Sequence, residues 1–288
     1  MRGSLFITFF NRNRIFLKNL KILTKCKDYK KFKKLIIYQN PNYNIVKKIK
    51  KIDKNIKIIS TVYDKNYTIF SKVNNNIYKG FCYCFEKYKS DFVIHLEDDL
   101  KVGYDFLFFI NKIISKHIND KMFYAVNGFS KEYKLKTHSF NYSKFIYGIG
   151  KGWAIPKANW SLTKIKLKDV IKKKSRRFFD VHLEKFIKFN FYVIMPYRSR
   201  VLEEVSNGLT LKESFSETTF FKHWSNSFIR NINVENEEYK YIKDMKYNWR
   251  FDCLHYNLIN KMISFFLYYF TKIFYYSIYI KKTIKKFV

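Results

Sequence analysis

Residues 92–100 read Phe-Val-Ile-His-Leu-Glu-Asp-Asp-Leu, an apolar run that passes without a break into three carboxylates. The run predicts a buried strand, and the carboxylates then fall at its end. Like charges crowded there repel, so Glu97, Asp98 and Asp99 call for a divalent cation or a set of hydrogen-bond donors in front of them. A nucleotide diphosphate brings such a cation with it. The plainer alternative is that the three acids open a helix, whose first turn favours negative charge.

Strand-like runs at Leu5 to Phe10, Leu35 to Tyr38 and Ile56 to Tyr63 precede this one, separated by Lys-rich stretches with helical spacing such as Ile15, Leu17, Leu20 and Leu23. Strand and helix alternating in this way predict an α/β fold with a mostly parallel sheet flanked by helices. Ligands of such sheets bind beyond the carboxyl ends of the strands. Asn11 to Arg14, Asn40 with Pro41, Asp64 and the Glu97–Asp99 cluster would all lie on that edge. Phe106, Phe109, Ile110, Ile113 and Ile114 mark a helix that packs back on the sheet after a turn at Gly103.

The chain has 288 residues, 47% of them hydrophobic, enough for one large domain or one domain with an appendage. Its 57 Lys and Arg against 23 Asp and Glu give a net charge of +34, which suits a polyanionic partner. Lys, Asn, Ile, Phe and Tyr are all abundant while Gly, Pro and Ala are scarce. AT-rich coding imposes that pattern whatever the function. Cys26, Cys82, Cys84 and Cys253 form no C-x-x-C pair and no zinc-type spacing, which fits a reducing compartment. The apolar run at Leu5 to Phe10 is too short for a signal-peptide core, so a cytoplasmic start is expected.

The order of these motifs resembles the nucleotide-sugar glycosyltransferases of the GT-A fold (Rossmann-like), with the pattern of N-acetylglucosaminyltransferase I and related bacterial sugar transferases. The resemblance runs from about Leu5 to Trp224. Leu-Phe-Ile-Thr-Phe-Phe-Asn-Arg-Asn-Arg at 5–14 is similar to a first strand and an Arg-containing loop at the nucleotide, implying donor contacts from Asn11, Arg12 and Arg14. Asn40 stands where the family has an acidic residue at the base, and Asn76 where it has a donor-binding His. Glu97-Asp98-Asp99-Leu100 resembles the D-x-D signature. It implies Asp99 as ligand of manganese or magnesium and Glu97 and Asp98 as donor contacts, consistent with a hard cation bridging two phosphates.

Gly148 to Trp153 is similar to the Gly-Trp segment that shapes the donor site, implying Gly152 and Trp153, although an indole also simply fills a core. Phe178-Phe179-Asp180-Val181 resembles the segment bearing the catalytic base, which implies Asp180. Glu184, one helical turn on, and the Glu203 and Glu204 pair are alternatives. Pro196, Ser199 and Arg200, followed by Asn207-Gly208, resemble the family's flexible loop over the donor, implying Arg200 or Lys212 near the diphosphate. The activity implied is transfer of a hexosyl or N-acetylhexosaminyl group from a UDP-sugar to a hydroxyl of a glycan or lipid-linked acceptor, with inversion. His95, inside the strand, reads as a core residue.

Residues 1–225 are thus expected to form the catalytic domain and 226–260 a connecting helical segment. In residues 261–288, Lys261, Tyr268, Lys272, Tyr275, Tyr279 and Lys282 share one helical face, while Phe266, Phe270, Ile273 and Ile280 lie opposite. Such a helix would lie in the interface of an anionic membrane, placing the enzyme on the cytoplasmic face of the inner membrane. No nucleic-acid partner is expected, because no basic motif of a recognised type occurs. The competing classes are a nucleic-acid-binding protein and a non-catalytic membrane scaffold.

Overall fold

The computed structural model describes residues 1–130, 140–145, 149–167, 170–172, 175, 178–180, 183, 187, 191–204, 228, 230 and 239–241. Glu184, the loop at Asn207-Gly208, Lys212, the 226–260 connection apart from residues 228, 230 and 239–241, and the 261–288 helix expected from sequence lie outside these residues.

The first four long strands are β1 (Gly3–Phe9), β2 (Lys33–Gln39), β3 (Lys57–Thr61) and β4 (Phe92–Glu97), all within the runs read from sequence or a residue or two beyond them. They pair in parallel in the order β3, β2, β1, β4. Successive side chains of a strand point to opposite faces, and here both faces are apolar. Leu5, Ile7, Phe9, Ile36 and Ile94 join one core, while Phe6, Leu35, Ile37 and Val93 join the other. Each such fully buried side chain stabilises by about 1.5–3 kcal/mol.

Helices cover both faces. On the first lie α1 (Asn13–Leu23), α2 (Tyr43–Ile52) and α4 (Phe106–His117), which bury Phe16, Leu20, Ile45, Ile49, Phe106 and Ile110 in the same core. On the second lie α3 (Ile69–Cys82) and α5 (Lys157–Lys166), contributing Ile77, Phe81 and Trp160. Two helix starts are capped by the side chains that sequence rules favour. Asn42 accepts from the Asn44 and Ile45 amides at 2.9 and 3.4 Å, and Thr68 accepts from the Ser71 amide at 3.1 Å. Each cap contributes roughly 0.5–2 kcal/mol.

Beyond β4 the sheet becomes mixed. β8 (Trp153–Pro156) runs antiparallel between β4 and β6 (Phe123–Asn127); β9 (Tyr192–Pro196) is parallel to β6; β7 (Asn141–Phe145) is antiparallel to β9; and β11 (Lys240–Tyr241) closes the edge. The molecule is an α/β protein with a large, mostly parallel sheet flanked by helices. The insertion of β8 matters for function, because an antiparallel strand starts at the edge where its parallel neighbours end. Trp153, its first residue, is paired with His95.

The acidic cluster does not open a helix. Asp98 and Asp99 form a tight turn into β5 (Leu100–Val102), and α4 begins only at Phe106. β5 pairs antiparallel with β10 (Val201–Glu203), with Glu203 opposite Leu100. That two-stranded ribbon carries a distant carboxylate to the end of β4.

Candidate active site

A cleft of about 230 Å³ opens at the carboxyl ends of β1 and β4. Asn11 and Arg12 enter it from the β1–α1 junction, Gln39 from the end of β2, Asn76 from α3, and Glu97, Asp98 and Asp99 from the end of β4. Lys151 and Trp153 come from the start of β8, Asp180 from the segment after α5, and Glu203 from β10.

The acids are held in two groups. The Phe10 amide donates to Asp98 Oδ2 at 3.1 Å, and Arg12 Nη1 reaches Asp98 Oδ1 at 3.4 Å while also donating to Asp99 Oδ2. Lys151 Nζ donates to Glu97 Oε2 at 2.5 Å and lies 3.6 Å from Glu203 Oε1. Four carboxylates therefore face two cations, so a fully ionised cluster carries two uncompensated negative charges. Asp99 Oδ1 is buried with no hydrogen-bond partner.

The acidities follow from this imbalance. Burial, reinforced by neighbouring Asp99, pushes the Asp98 carboxyl up to about 7. Burial does the same to Glu203, also to about 7, with Asp99 and Glu97 adding to it and Lys151 opposing. Asp99 is raised by burial and then by Glu97. For Glu97 burial acts upward as well, but the ammonium of Lys151 outweighs it with help from His95, and the net direction is down. Lys151 is raised: burial opposes its charge, yet Glu97, Glu203 and Asp99 prevail.

A divalent cation fits this arrangement. It would neutralise the excess negative charge and supply the missing partner of Asp99 Oδ1. Among the described residues no group of three or more His, Cys, Asp or Glu side chains is arranged to hold a metal ion; Asp99 would be the residue to hold one.

His95 lines the cleft floor as well as the core. Its Nε2 lies 3.0 Å from Thr8 Oγ1, its ring stacks on Phe6 at 4.8 Å, and burial lowers it to about 4, so it is neutral at ordinary pH. Trp153 is only 4% exposed and packs on Phe81 and Phe179, so most of its indole fills the core. Asn76 spends its amide on the protein: Nδ2 donates to Gln39 Oε1 at 3.0 Å, and Oδ1 accepts from Thr61 and Tyr63 at 2.9 and 2.8 Å.

Of the residues named from sequence, the structure brings Asn11, Arg12, Asn76, Glu97, Asp98, Asp99, Trp153 and Asp180 to one cleft. It does not bring Arg14, Asn40, Gly152 or Arg200 to its wall. Arg14 is exposed on α1 and Asn40 is exposed in a left-handed turn (φ 52°), while the preceding residue, Gln39, points in. Gly152, with φ +60°, packs behind the cleft, where a Cβ would lie 2.6 Å from Val201. Arg200 is fully buried against Asp105. Sequence reasoning missed Lys151, because one Lys among so many carries no local signal. It also took Glu203 for an alternative only, since pairing with β5 is a long-range event.

No protein-family model matches the sequence, and neither does any curated protein. Among solved structures, similarity extends to a mannosyltransferase from Pyrobaculum calidifontis in complex with GDP-Man and Mn2+, at 12% identity and a TM-score of 0.47, covering 72% of this chain and 57% of that one. The chain thus spans little more than half of that enzyme's length. Similarity also extends to residues 1–349 of TarS from S. aureus in complex with UDP-GlcNAc, at 11% identity and a TM-score of 0.48, covering 79% and 72%. A cytidylyltransferase from Leptospira borgpetersenii follows at 12% identity and a TM-score of 0.38, covering 66% and 72%.

Proposed function

We propose that the cleft is the donor site of a metal-assisted glycosyltransferase of GT-A type, which moves a sugar from a nucleotide diphosphate to a hydroxyl group. The observation that carries this reading is the state of Asp99, buried at a strand end beside three other carboxylates, with one oxygen on Arg12 and the other unpartnered. A diphosphate chelating a dication is a ligand that satisfies both features. The ion, held through Asp99, would neutralise charge developing on the departing diphosphate.

The chain's own groups divide the remaining work. Arg12 and Asn11 stand at the N-terminal end of α1, whose positive dipole end favours phosphate. Lys151 keeps Glu97 ionised and ready to accept sugar or ribose hydroxyls. Asp180 is exposed on the cleft wall, where an acceptor hydroxyl could reach it and lose its proton in an in-line, inverting attack. A second reading of the base is Glu203, favoured by its place in the cleft and by an acidity near 7, which suits a general base at neutral pH.

We take the donor to be a UDP-sugar carrying a hexosyl or N-acetylhexosaminyl group and the acceptor to be a glycan or lipid-linked precursor of a surface polysaccharide. Residues 261–288 would rest on the cytoplasmic face of the inner membrane; this location rests on the sequence pattern of that segment. Thermal stability measured with a panel of nucleotide sugars, with and without manganese, tests the reading. A manganese-dependent rise with one donor, absent in Asp99→Ala, is expected. No rise with any donor would reject it.

A further inference from the structure

Arg12 occupies Asp99 Oδ2, the oxygen next to the unpartnered Oδ1 that a cation would take. Its guanidinium bridges Asp98 and Asp99, whose side chains are 11% and 4% exposed, while its own side chain is 21% exposed at the mouth of the group. Arg12 sits at the helix N-cap position with non-helical backbone angles, and its side chain makes no capping bond. Rotation of its side chain alone would free both carboxylates without unwinding α1.

A guanidinium on Asp99 Oδ2 and a dication on Oδ1 of the same carboxylate would stand within a few ångströms and repel each other. Arg pairs equally well, often through two parallel bonds, with a carboxylate or a phosphate. We propose that Arg12 is a displaceable counter-cation: it holds Asp98 and Asp99 while the cleft lacks donor, and passes to the diphosphate when metal and nucleotide enter together. This deepens the reading of the cleft as a nucleotide-sugar site and rests on it. The consequence is thermodynamic. Metal alone binds against the charge of the nearby guanidinium or drives it off with no new acceptor, whereas metal with a diphosphate gives it one. Binding of the two is therefore positively coupled through this side chain, and the coupling is reciprocal.

The test is binding of Mn2+ to the full chain, read from the paramagnetic resonance of the free ion, with and without UDP. In the natural protein UDP is expected to tighten Mn2+ by on the order of tenfold or more. Arg12→Ala and Arg12→Gln are expected to bind Mn2+ alone more tightly than the natural protein and to lose most of the UDP enhancement, while Arg12→Lys restores part of it. Coupling that survives unchanged in folded Arg12→Ala and Arg12→Gln would overturn the proposal and leave the donor-site reading standing. If the natural protein binds neither Mn2+ nor UDP, the donor-site reading fails and takes this inference with it.

Discussion

Arg200 Nε donates to Asp105 Oδ2 at 3.2 Å, and neither side chain has any exposure to water. The Tyr239 hydroxyl donates to the same carboxylate oxygen at 2.6 Å, Arg200 Nη1 donates to the Arg198 carbonyl at 2.6 Å, and the guanidinium lies over Phe109 at 5.1 Å. Asp105 immediately precedes α4 and Arg200 immediately precedes β10. The pair therefore fastens the strand that delivers Glu203 to the helix that follows the acidic cluster. Removing one partner strands a buried charge, so Arg200→Met is expected to cost about 3–5 kcal/mol in urea unfolding. Arg200→Met combined with Asp105→Leu should recover much of that loss.

Lys151 is the only described cation within 4 Å of both Glu97 and Glu203. Lys151→Met removes the largest influence that opposes the upward push of burial on both carboxylates. If Glu203 is the base, the acid limb of the kcat/KM profile moves to higher pH, by on the order of one unit. An unmoved limb would assign the proton transfer elsewhere, with Asp180 the next residue to replace.

Asp98 and Glu203 stand at about 7 in the folded protein, well above an ordinary carboxylate near 4. The folded state then holds protons that the unfolded chain has already released, and stability from these groups, complete below about pH 4, is lost as pH rises to about 7. Asp98→Asn is therefore expected to be more stable than the natural protein at pH 8, by on the order of 1–3 kcal/mol, with the gain vanishing near pH 4. Paired urea titrations at the two pH values measure the difference.

His95 works in the opposite direction. Held at about 4 by burial, it stays neutral while the unfolded imidazole, near 6.5, takes up a proton. Its contribution is present above about pH 6.5 and is lost as pH falls towards 4. His95→Phe keeps the ring stacked on Phe6 and should flatten the dependence of stability on pH in that window.

Gly80 lets α3 approach β1, because a Cβ there would stand 2.3 Å from the Phe6 ring. Gly80→Ala is expected to lose about 1–3 kcal/mol through overpacking. Gly152→Ala should lose stability as well, since it combines the 2.6 Å contact with Val201 with a backbone at φ +60°. Thermal unfolding of both variants checks the two.

The sequence by itself determined the alternation of strands and helices through β4, the strand that ends in Glu97, Asp98 and Asp99, and the placing of Asn11 and Arg12 on the same edge. Those features are local: residue period sets which face a side chain takes, and three adjacent acids keep their proximity however the chain turns. Only the tertiary structure decided which basic residues meet them. Arg12 and Arg200 both read as donor contacts from sequence, yet one reaches the cleft and the other is fully buried against Asp105. Lys151 arrives because β8 runs antiparallel and starts where β4 ends, and Glu203 because β10 pairs with β5. Pairing between strands far apart in the chain depends on the shared core, and the charge balance that sets the acidity of Asp98 and Glu203 exists only once that pairing has formed.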